Sequence, residues 1–284
     1  MRALKIDKNL KQIIVNALKE DIGSGDITTQ LLITSQEKHK AEIIFKKPGV
    51  LSGIDTAFFI FKQLGQSIEF EKIKNDGDEI DKDEVIARIN GDISAILTGE
   101  RVALNFLQIM SGIAGMTKQF VDKVKDLKVD ILDTRKIVPG LRPFVKYAVL
   151  CGGGVNHRYN LSDQILIKEN HLKAVDSSIK KSVDIIKKNK KDILIEVEVE
   201  NNKQAFEALK AGVDIILFDN MSCKDMSFCI KKIKSSTSKP PKFEASGNVK
   251  LENVREIAQS GVDRISVGAL THSYIAADIS LIIR

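Results

Sequence analysis

Six basic side chains lie in one stretch of the sequence, next to two apolar runs with the character of strands. They are Arg135, Lys136, Arg142, His157, Arg158 and Lys168. Arg135 and Lys168 terminate these runs, and Arg158 follows the loop Gly152–Gly154, where glycine permits close backbone approach. Arginine binds carboxylates and phosphates with two parallel hydrogen bonds, whereas lysine supplies a point charge. The stretch therefore predicts a binding site for a small polyanion.

Three acidic residues alternate in the segment ILIEVEVEN: Glu196, Glu198 and Glu200. Side chains of a strand alternate with a period of two, so these carboxylates share one face. Burial of three carboxylates is costly unless cations, a metal or a substrate compensates their charge. Asp219, in LFDN, occupies the same strand-end position one βα unit later. The set is predicted to hold Mg²⁺ or to stabilise a developing positive charge; alternatively, the face is solvated and inert.

Two glycine-containing loops follow late strand-like runs. Ser246, Gly247 and Asn248 come between KFEAS and a helical stretch, and Gly268 follows the run RISV. Backbone amides and a helix N-terminus at such loops bind phosphate, although either loop alone could be an ordinary turn. Two such loops in consecutive βα units favour a phosphate-binding site. Together the three groups of residues suit a phosphorylated sugar and an anionic partner.

The elements that must position these residues are short β-rich runs separated by helical stretches. The strand candidates are VDILDT, QILIKEN, ILIEVEVEN, VDIILFDN, KFEAS and DRISVGA. This alternation predicts a parallel sheet with right-handed crossovers, and polar residues at the strand ends favour a barrel. The segment from about residue 113 onward is shorter than the ~250 residues of a typical eight-stranded barrel. We therefore expect an incomplete barrel.

The first part of the chain has a different pattern. Apolar residues recur with helical spacing over residues 6–18, and Asp26 or Thr28 could cap a second helix, although an ordinary turn is the simpler interpretation. The runs AEIIF, SIEFEKI and VIARI predict a small sheet. Residues 98–117 predict a mostly apolar helix that carries Arg101 near its start.

Composition excludes several classes of protein. The 284 residues are 43% hydrophobic and 29% charged, which is typical of a packed globular chain. Three cysteines without paired spacing argue against a disulfide framework or a structural zinc site, and favour a reducing compartment. The net charge of +6 suits acidic ligands, but basic and aromatic residues do not interleave as in nucleic-acid-binding proteins. We expect a cytoplasmic protein that binds neither nucleic acid nor membrane.

Several blocks of the sequence, in order between residues 20 and 273, resemble those of the quinolinate phosphoribosyltransferase family. They are EDIGSGDITT, GERVALNFLQIMSGIAGMT, DTRK, PGLR, KYAV, GGGVNHR, LIKENH, EVEVEN, FDN, EASGN and ISVGALTHS. The resemblance implies that quinolinate reacts with phosphoribosyl pyrophosphate in the presence of Mg²⁺. The products would be nicotinate mononucleotide, pyrophosphate and CO2, in de novo NAD biosynthesis.

The resemblance also implies an α/β fold with two domains. An N-terminal α/β sandwich domain is expected over residues 1–112, and an open, incomplete α/β barrel over residues 113–272. The C-terminal tail, residues 273–284, is expected to pack against the N-terminal domain. The resemblance further implies a homodimer with shared active sites. Such dimers could assemble further into a hexamer.

Residue roles follow from the positions that match the family. In the family, four matching positions face the two carboxylates of quinolinate, and in this chain they are Arg135, His157, Arg158 and Lys168. A fifth matching position faces the phosphoribosyl donor, and in this chain it is Lys136. Those near the ribose and the metal correspond to Glu198 and Asp219, and those in phosphate-binding loops to Ser246, Gly247, Asn248 and Gly268. Arg101 corresponds to an arginine that a neighbouring subunit inserts. Catalysis is expected from Glu198, Asp219, Lys136 and Lys168. Asn160 stands where many relatives have glycine, and we expect it to tolerate a positive φ.

Two other functions compete with this interpretation. A phosphoribosyltransferase of the same fold could act on another base, as do nicotinate-specific enzymes and molybdenum-associated relatives, but the full set of cations favours a dicarboxylate. The segment NDGDEIDKDEVIARING superficially resembles a lipoyl or biotinyl carrier. A carrier function leaves the barrel half of the chain unexplained.

Overall fold

The computed structural model describes residues 4–33, 37–65, 67–176, 178–190 and 192–284. Its helices are α1 (Lys8–Ile22), α2 (Ile27–Leu32), α3 (Ile54–Leu64), α4 (Ile93–Val124), α5 (Arg142–Cys151), α6 (Glu169–Ala174), α7 (Ile179–Asn189), α8 (Asn202–Ala211), α9 (Cys223–Ser236), α10 (Val254–Gln259) and α11 (Ala269–His272). Its strands are β1 (Lys38–Phe45), β2 (Gly49–Val50), β3 (Glu69–Lys72), β4 (Glu79–Ile80), β5 (Val85–Asp92), β6 (Asp130–Leu132), β7 (Ile165–Ile167), β8 (Ile195–Val199), β9 (Ile215–Asp219), β10 (Lys242–Ser246), β11 (Arg264–Ser266) and β12 (Ile279–Ile283).

The chain divides into two compact units, and the first takes its residues from three segments. These are the described residues within 1–118, 137–153 and 273–284. Strands β12, β1, β5 and β3 form an antiparallel sheet in that order, and β2 pairs with β4. Helix α1 buries Leu10, Ile14 and Leu18, at helical spacing, in the same hydrophobic core as β1 and β5. Asp26 caps α2, because its carboxylate accepts the amide of Thr29 at 3.0 Å.

The second unit comprises the described residues within 119–136 and 154–272 and is built on a parallel sheet. The strand order is β6, β11, β10, β9, β8, β7, and every pair in this order is parallel. A closed barrel would pair β6 with β7, but these strands lie at opposite edges of the sheet. The prediction of an open, incomplete barrel is confirmed. Since all six strands run in one direction, their carboxyl ends meet at one edge.

No helix among the described residues combines the length and apolar character that crossing a lipid bilayer requires.

Two glycines of α4 have opposite surroundings, and we expect their alanine variants to differ in stability. A Cβ at Gly112 would overlap the backbone oxygen of Ile275 and lie 3.0 Å from the Cα of Ala276, and backbone atoms cannot move aside. Gly112→Ala should therefore lower the free energy of unfolding by about 1–3 kcal/mol. At Gly115 the nearest atom is the Val50 nitrogen at 3.9 Å, so Gly115→Ala should be neutral or stabilise by up to ~1 kcal/mol. Urea unfolding of both variants tests this, and equal stabilities would contradict it.

Candidate active site

A cavity of about 720 Å³ opens at the carboxyl edge of the parallel sheet, within the second unit. It is lined by Thr134, Arg135, Lys136, His157, Arg158, Leu166, Lys168, Glu198, Leu217, Asp219, Asn220, Ser246, Gly247, Asn248, Val249, Lys250, Ser266, Gly268, Ala269 and His272. These residues come from the strand ends and the loops that follow them. The cavity is large enough for a small molecule of several functional groups.

All of the site residues that the family resemblance assigns line this cavity except Arg101. Arg101 lies on α4 in the first unit, where its side chain is exposed, and it is not among the described residues that line the cavity. Arg142, which the sequence groups with the other cations, begins α5 and also belongs to the first unit. The six clustered cations are therefore divided between the two units, with five of them at the cavity.

The three alternating glutamates have three different environments. Glu198 forms an ion pair with Lys168 across the cavity wall, and its side chain is 15% exposed. Glu196 is fully buried one layer deeper, whereas Glu200 follows the end of β8 and is exposed. Only Glu198 of the three lines the cavity. A solvated face therefore describes Glu200 but not the fully buried Glu196 or the largely buried Glu198.

Asp219 ends β9 on the same side of the sheet as Glu198. The register pairs Glu198 with Leu217, and Asp219 is two residues further along β9, which returns it to the same face. The Nδ2 atom of Asn220 donates to Asp219 Oδ2 at 3.1 Å. Two carboxylates on neighbouring strands are hard oxygen donors of the type that Mg²⁺ prefers.

A buried cluster lies beneath the cavity floor. His157 Nε2 is 3.2 Å from Glu196 Oε2 and 3.3 Å from Glu244 Oε1, and both carboxylates are fully buried. The Nε of Arg264 lies 3.2 Å from Glu244 Oε2, and Ser266 Oγ donates to Glu244 Oε1. Three such side chains could hold a metal ion, but Arg264 already pairs with Glu244, and Gln164 Nε2 already donates to Glu196 Oε2.

The hydrogen bonds of His157 define its tautomer. Burial lowers the pKa of His157, and the two carboxylates outweigh this effect and raise it to about 9. The amide N–H of Arg158, however, points at Nδ1 from 2.7 Å, and this hydrogen bond requires Nδ1 to carry no proton. A proton on Nδ1 would face the amide hydrogen directly, so the neutral ring carries its proton on Nε2.

Arg135 and Arg158 form the basic wall of the cavity. Burial lowers the pKa of Arg158, and the positive charge of Arg135 lowers it further, whereas Glu196 acts in the opposite direction. The Nε atom of Arg135 is buried and has no hydrogen-bond partner among the described residues. An unpaired buried donor is costly unless an acceptor approaches it. The wall therefore fits an anion with more than one acceptor group.

The two predicted phosphate loops differ in how they connect to a helix. Gly268 is followed directly by α11, but α10 begins only at Val254, so no helix N-terminus adjoins Asn248. The expectation of a helix N-terminus at this loop is wrong, because Asn248 has a φ of +49°, which interrupts helical geometry. Asn253 instead stabilises a turn, as its Nδ2 donates to the carbonyl of Asn248 at 3.0 Å.

Asn220 connects one phosphate loop to the acidic strand end. Its Oδ1 accepts a hydrogen bond from Asn248 Nδ2 at 2.8 Å, while its Nδ2 contacts Asp219. A Cβ at Gly247, where φ is +93°, would collide with the amide of Asn220. The loop therefore requires glycine at this position.

Some of the cavity residues were not predicted from the sequence, namely Thr134, Leu166, Leu217, Asn220, Val249, Lys250, Ser266, Ala269 and His272. Six of them lie within blocks that carry the family resemblance, which is a signal that could have found them: Thr134, Leu166, Asn220, Ser266, Ala269 and His272. The ring of His272 is close enough that a Cβ at Gly268 would lie 2.9 Å from its Nε2. Leu217, Val249 and Lys250 lie outside those blocks and had no such signal.

Asn160 does not need its tolerance of positive φ. It is not among the described non-glycine residues with a positive φ, so the structure does not use this tolerance. Its side-chain oxygen instead accepts from the amide of Ser162 at 2.9 Å and from the Ser162 hydroxyl at 2.7 Å. Asparagine stabilises the turn here through its side chain.

Comparison with known proteins covers nearly the whole chain. Residues 26–111 match the model of the quinolinate phosphoribosyl transferase N-terminal domain, and residues 113–282 match that of the C-terminal domain. The chain is 40% identical over 272 residues to a probable nicotinate-nucleotide pyrophosphorylase (carboxylating) of Bacillus subtilis, which covers 96% of this chain and 92% of the relative. It is 40% identical over 289 residues to the tobacco quinolinate phosphoribosyltransferase (decarboxylating) 2b, mitochondrial, covering 96% and 82%. The solved nicotinate-nucleotide pyrophosphorylase of Francisella tularensis superposes with a TM-score of 0.93 at 36% identity, covering 99% and 98%.

Proposed function

Because the chain belongs to the quinolinate phosphoribosyltransferase family, we propose that it transfers the phosphoribosyl group of phosphoribosyl pyrophosphate to quinolinate. The reaction includes decarboxylation and gives nicotinate mononucleotide, pyrophosphate and CO2, in de novo NAD biosynthesis. The observation that carries this proposal is the cavity itself, in which a basic wall faces two carboxylates at neighbouring strand ends. This arrangement suits a planar dianion beside a sugar that becomes positively charged.

The basic wall provides recognition of the dicarboxylate. Arg135 contributes a buried Nε that lacks a partner, and Arg158 and Lys168 contribute further donors from the same cavity. Guanidinium groups bind carboxylates bidentately, and the two carboxylates of quinolinate offset the repulsion between Arg135 and Arg158. Binding of the dianion therefore satisfies donors and charges that the protein leaves uncompensated.

Glu198 and Asp219 are the proposed ligands of Mg²⁺ and the stabilisers of the ribose. When bound with phosphoribosyl pyrophosphate, Mg²⁺ offsets the charge of the departing pyrophosphate. Departure leaves an oxocarbenium-like ribose, whose positive charge these carboxylates stabilise. Lys168 holds Glu198 in an ion pair, and a quinolinate carboxylate that attracts Lys168 makes the Glu198 carboxylate available to the ribose.

The remaining residues orient the phosphates. Lys136 and the loops at Ser246–Asn248 and Gly268 supply a cation and backbone amides around one side of the cavity. Decarboxylation needs no group of its own, because the pyridinium formed by ribosyl transfer accepts the electrons that the departing CO2 leaves behind.

We further propose a homodimer in which Arg101 completes the active site of the partner subunit, with possible assembly of dimers into a hexamer. The support is that Arg101 is exposed on α4, while all of the other site residues that the family resemblance assigns line one cavity. A homodimer has closed two-fold symmetry, so each of its two copies of Arg101 can complete one of two equivalent sites. A cytoplasmic location remains part of this proposal and fits three cysteines that form no disulfide.

Quinolinate should be a substrate and nicotinate should not. Nicotinate lacks one carboxylate, so it leaves buried donors without a partner and loses about 1.5–3 kcal/mol of charge-assisted bonding. Incubation with phosphoribosyl pyrophosphate, Mg²⁺ and either acid, followed by quantification of nicotinate mononucleotide, tests the assignment. Comparable turnover of the two acids would favour a nicotinate-specific enzyme instead. An intact mass that includes a covalent prosthetic group would favour the carrier function.

A further inference from the structure

A layer of polar side chains supports the basic wall from beneath. Gln164 is 7% exposed, and Glu196 and Glu244 are fully buried. None of the three is among the described residues that line the cavity. Burial of such polar groups costs free energy unless hydrogen bonds or opposite charges compensate it. Gln164 and Glu196 contact each other, and both glutamates contact His157.

Hydrogen bonds from this layer hold Arg158 at both ends. Its guanidinium Nη1 donates to the backbone carbonyl of Gln164 at 3.1 Å. Its backbone amide donates to His157 Nδ1 at 2.7 Å. The side chains of both partners, Gln164 and His157, contact Glu196. Gln164 Nε2 donates to Glu196 Oε2 at 2.6 Å, and His157 Nε2 lies 3.2 Å from the same oxygen. The four residues form a closed ring of contacts in which one carboxylate oxygen joins the two ends of Arg158.

The charge of Glu196 matters as well as its hydrogen bonds. Arg135 and Arg158 line one cavity and repel each other, and this repulsion lowers the pKa of Arg158 together with burial. Glu196 is the anion that opposes this effect, and the second buried carboxylate, Glu244, is already paired with Arg264. Glu196 therefore opposes part of this effect on Arg158 without lining the cavity.

We propose that Glu196 is a positioning residue for dicarboxylate recognition, which holds the guanidinium of Arg158 in place through Gln164 and His157. The inference rests on the proposed function, because it assumes that Arg158 binds a carboxylate of quinolinate. Glu196 itself does not touch the substrate. His157 acts here through protein contacts, since both of its ring nitrogens already face protein partners.

The test is a comparison of two Michaelis constants in Glu196→Gln. The amide is nearly isosteric and retains one acceptor oxygen, so the fold should persist while the charge is lost. We expect the KM for quinolinate to rise by about tenfold or more, and the KM for phosphoribosyl pyrophosphate to change by less than about twofold. Gln164→Met removes the neutral donor to Glu196 and should also raise the KM for quinolinate selectively.

Asp214→Asn is the matched control at the other end of the sheet. Asp214 precedes β9, and its carboxylate accepts the amide of Ile195, the first residue of β8, at 2.8 Å. The substitution therefore exchanges a carboxylate for an amide in the same pair of strands, far from their carboxyl ends. We expect it to leave both Michaelis constants unchanged, whatever it does to stability.

A second measurement reports directly on the imidazole nitrogens of His157, which belong to this ring of contacts. In ¹⁵N-labelled wild-type protein above the His157 pKa of about 9, Nδ1 should show the chemical shift of an unprotonated acceptor, and Nε2 that of a protonated nitrogen. Glu196→Gln should shift these resonances, and Asp214→Asn should not. A structural disturbance of the sheet would not by itself distinguish these two variants.

Each failure has a separate meaning. If wild-type protein does not convert quinolinate, the proposed function is wrong. If wild-type protein converts quinolinate, but Glu196→Gln keeps its KM or raises both Michaelis constants equally, the positioning role is wrong. If Glu196→Gln does not fold, Gln164→Met decides, and an unchanged KM for quinolinate in that variant overturns the proposal.

Discussion

Glu198→Gln and Asp219→Asn should each lower kcat by about a hundredfold or more and leave the KM for quinolinate within a factor of about two. The reason is that a carboxylate beside the ribose is needed most when the ribose becomes cationic. Interactions that are stronger in the transition state than in the ground state raise kcat and contribute little to substrate binding. Steady-state kinetics with each substrate varied in turn would measure both parameters.

Glu200→Gln is the internal control for this prediction. Glu200 shares the alternating pattern of Glu198, but it is exposed beyond the end of β8 and does not line the cavity. The same chemical change should therefore leave kcat unaffected. If Glu198→Gln or Asp219→Asn raises only the KM for quinolinate, the residue binds the base, and its assignment to the ribose and the metal is wrong.

Inactive Arg101→Ala and Arg135→Ala proteins, unfolded together in equal amounts and reassembled, should recover about one quarter of wild-type activity. Each site of the proposed dimer takes Arg135 from one chain and Arg101 from the other. Random reassembly makes about half of the dimers mixed. In a mixed dimer one site carries both substitutions and the other carries neither, so one site in two is restored. Activity is measured with quinolinate and phosphoribosyl pyrophosphate after the dimers have been isolated.

The controls separate sharing of the site from an effect of refolding. Each variant refolded by itself should stay inactive, and refolded wild-type protein sets the reference activity. Remixed protein that is folded and dimeric but as inactive as its parents would show that Arg101 acts within its own chain or not at all. A monomer in solution would remove the basis of the shared site.

Local features of this protein were predictable from the sequence alone. The six strands of the parallel sheet were found, because each is a short apolar run that ends in polar residues. The sequence offers Asp26 as the cap of α2, because a cap depends on residues only three positions apart. Spacing alone nevertheless favours an ordinary turn at this point. The cavity residues at the strand ends were found because parallel strands bring their carboxyl ends together.

The different environments of Glu196, Glu198 and Glu200 were decided by the tertiary structure. Their period of two places them on one face, but it does not say how deep each one lies. Depth depends on partners distant in sequence: Glu196 contacts His157, 39 positions earlier, and Gln164, 32 positions earlier. Sequence periodicity records the backbone geometry of a single strand and contains no information about such partners.

The division of the cations has the same origin. Arg142 is seven positions from Arg135, yet the chain enters the first unit between them and returns to the second only after Gly153. Proximity in sequence therefore did not place the two residues in the same unit. The sequence by itself determined which elements form and which residue types lie at the strand ends, because these follow from short-range sterics and apolar periodicity. Only the tertiary structure decided which charges are paired, buried or open to a ligand, because pairing and burial require contacts between segments that the folded chain alone brings together.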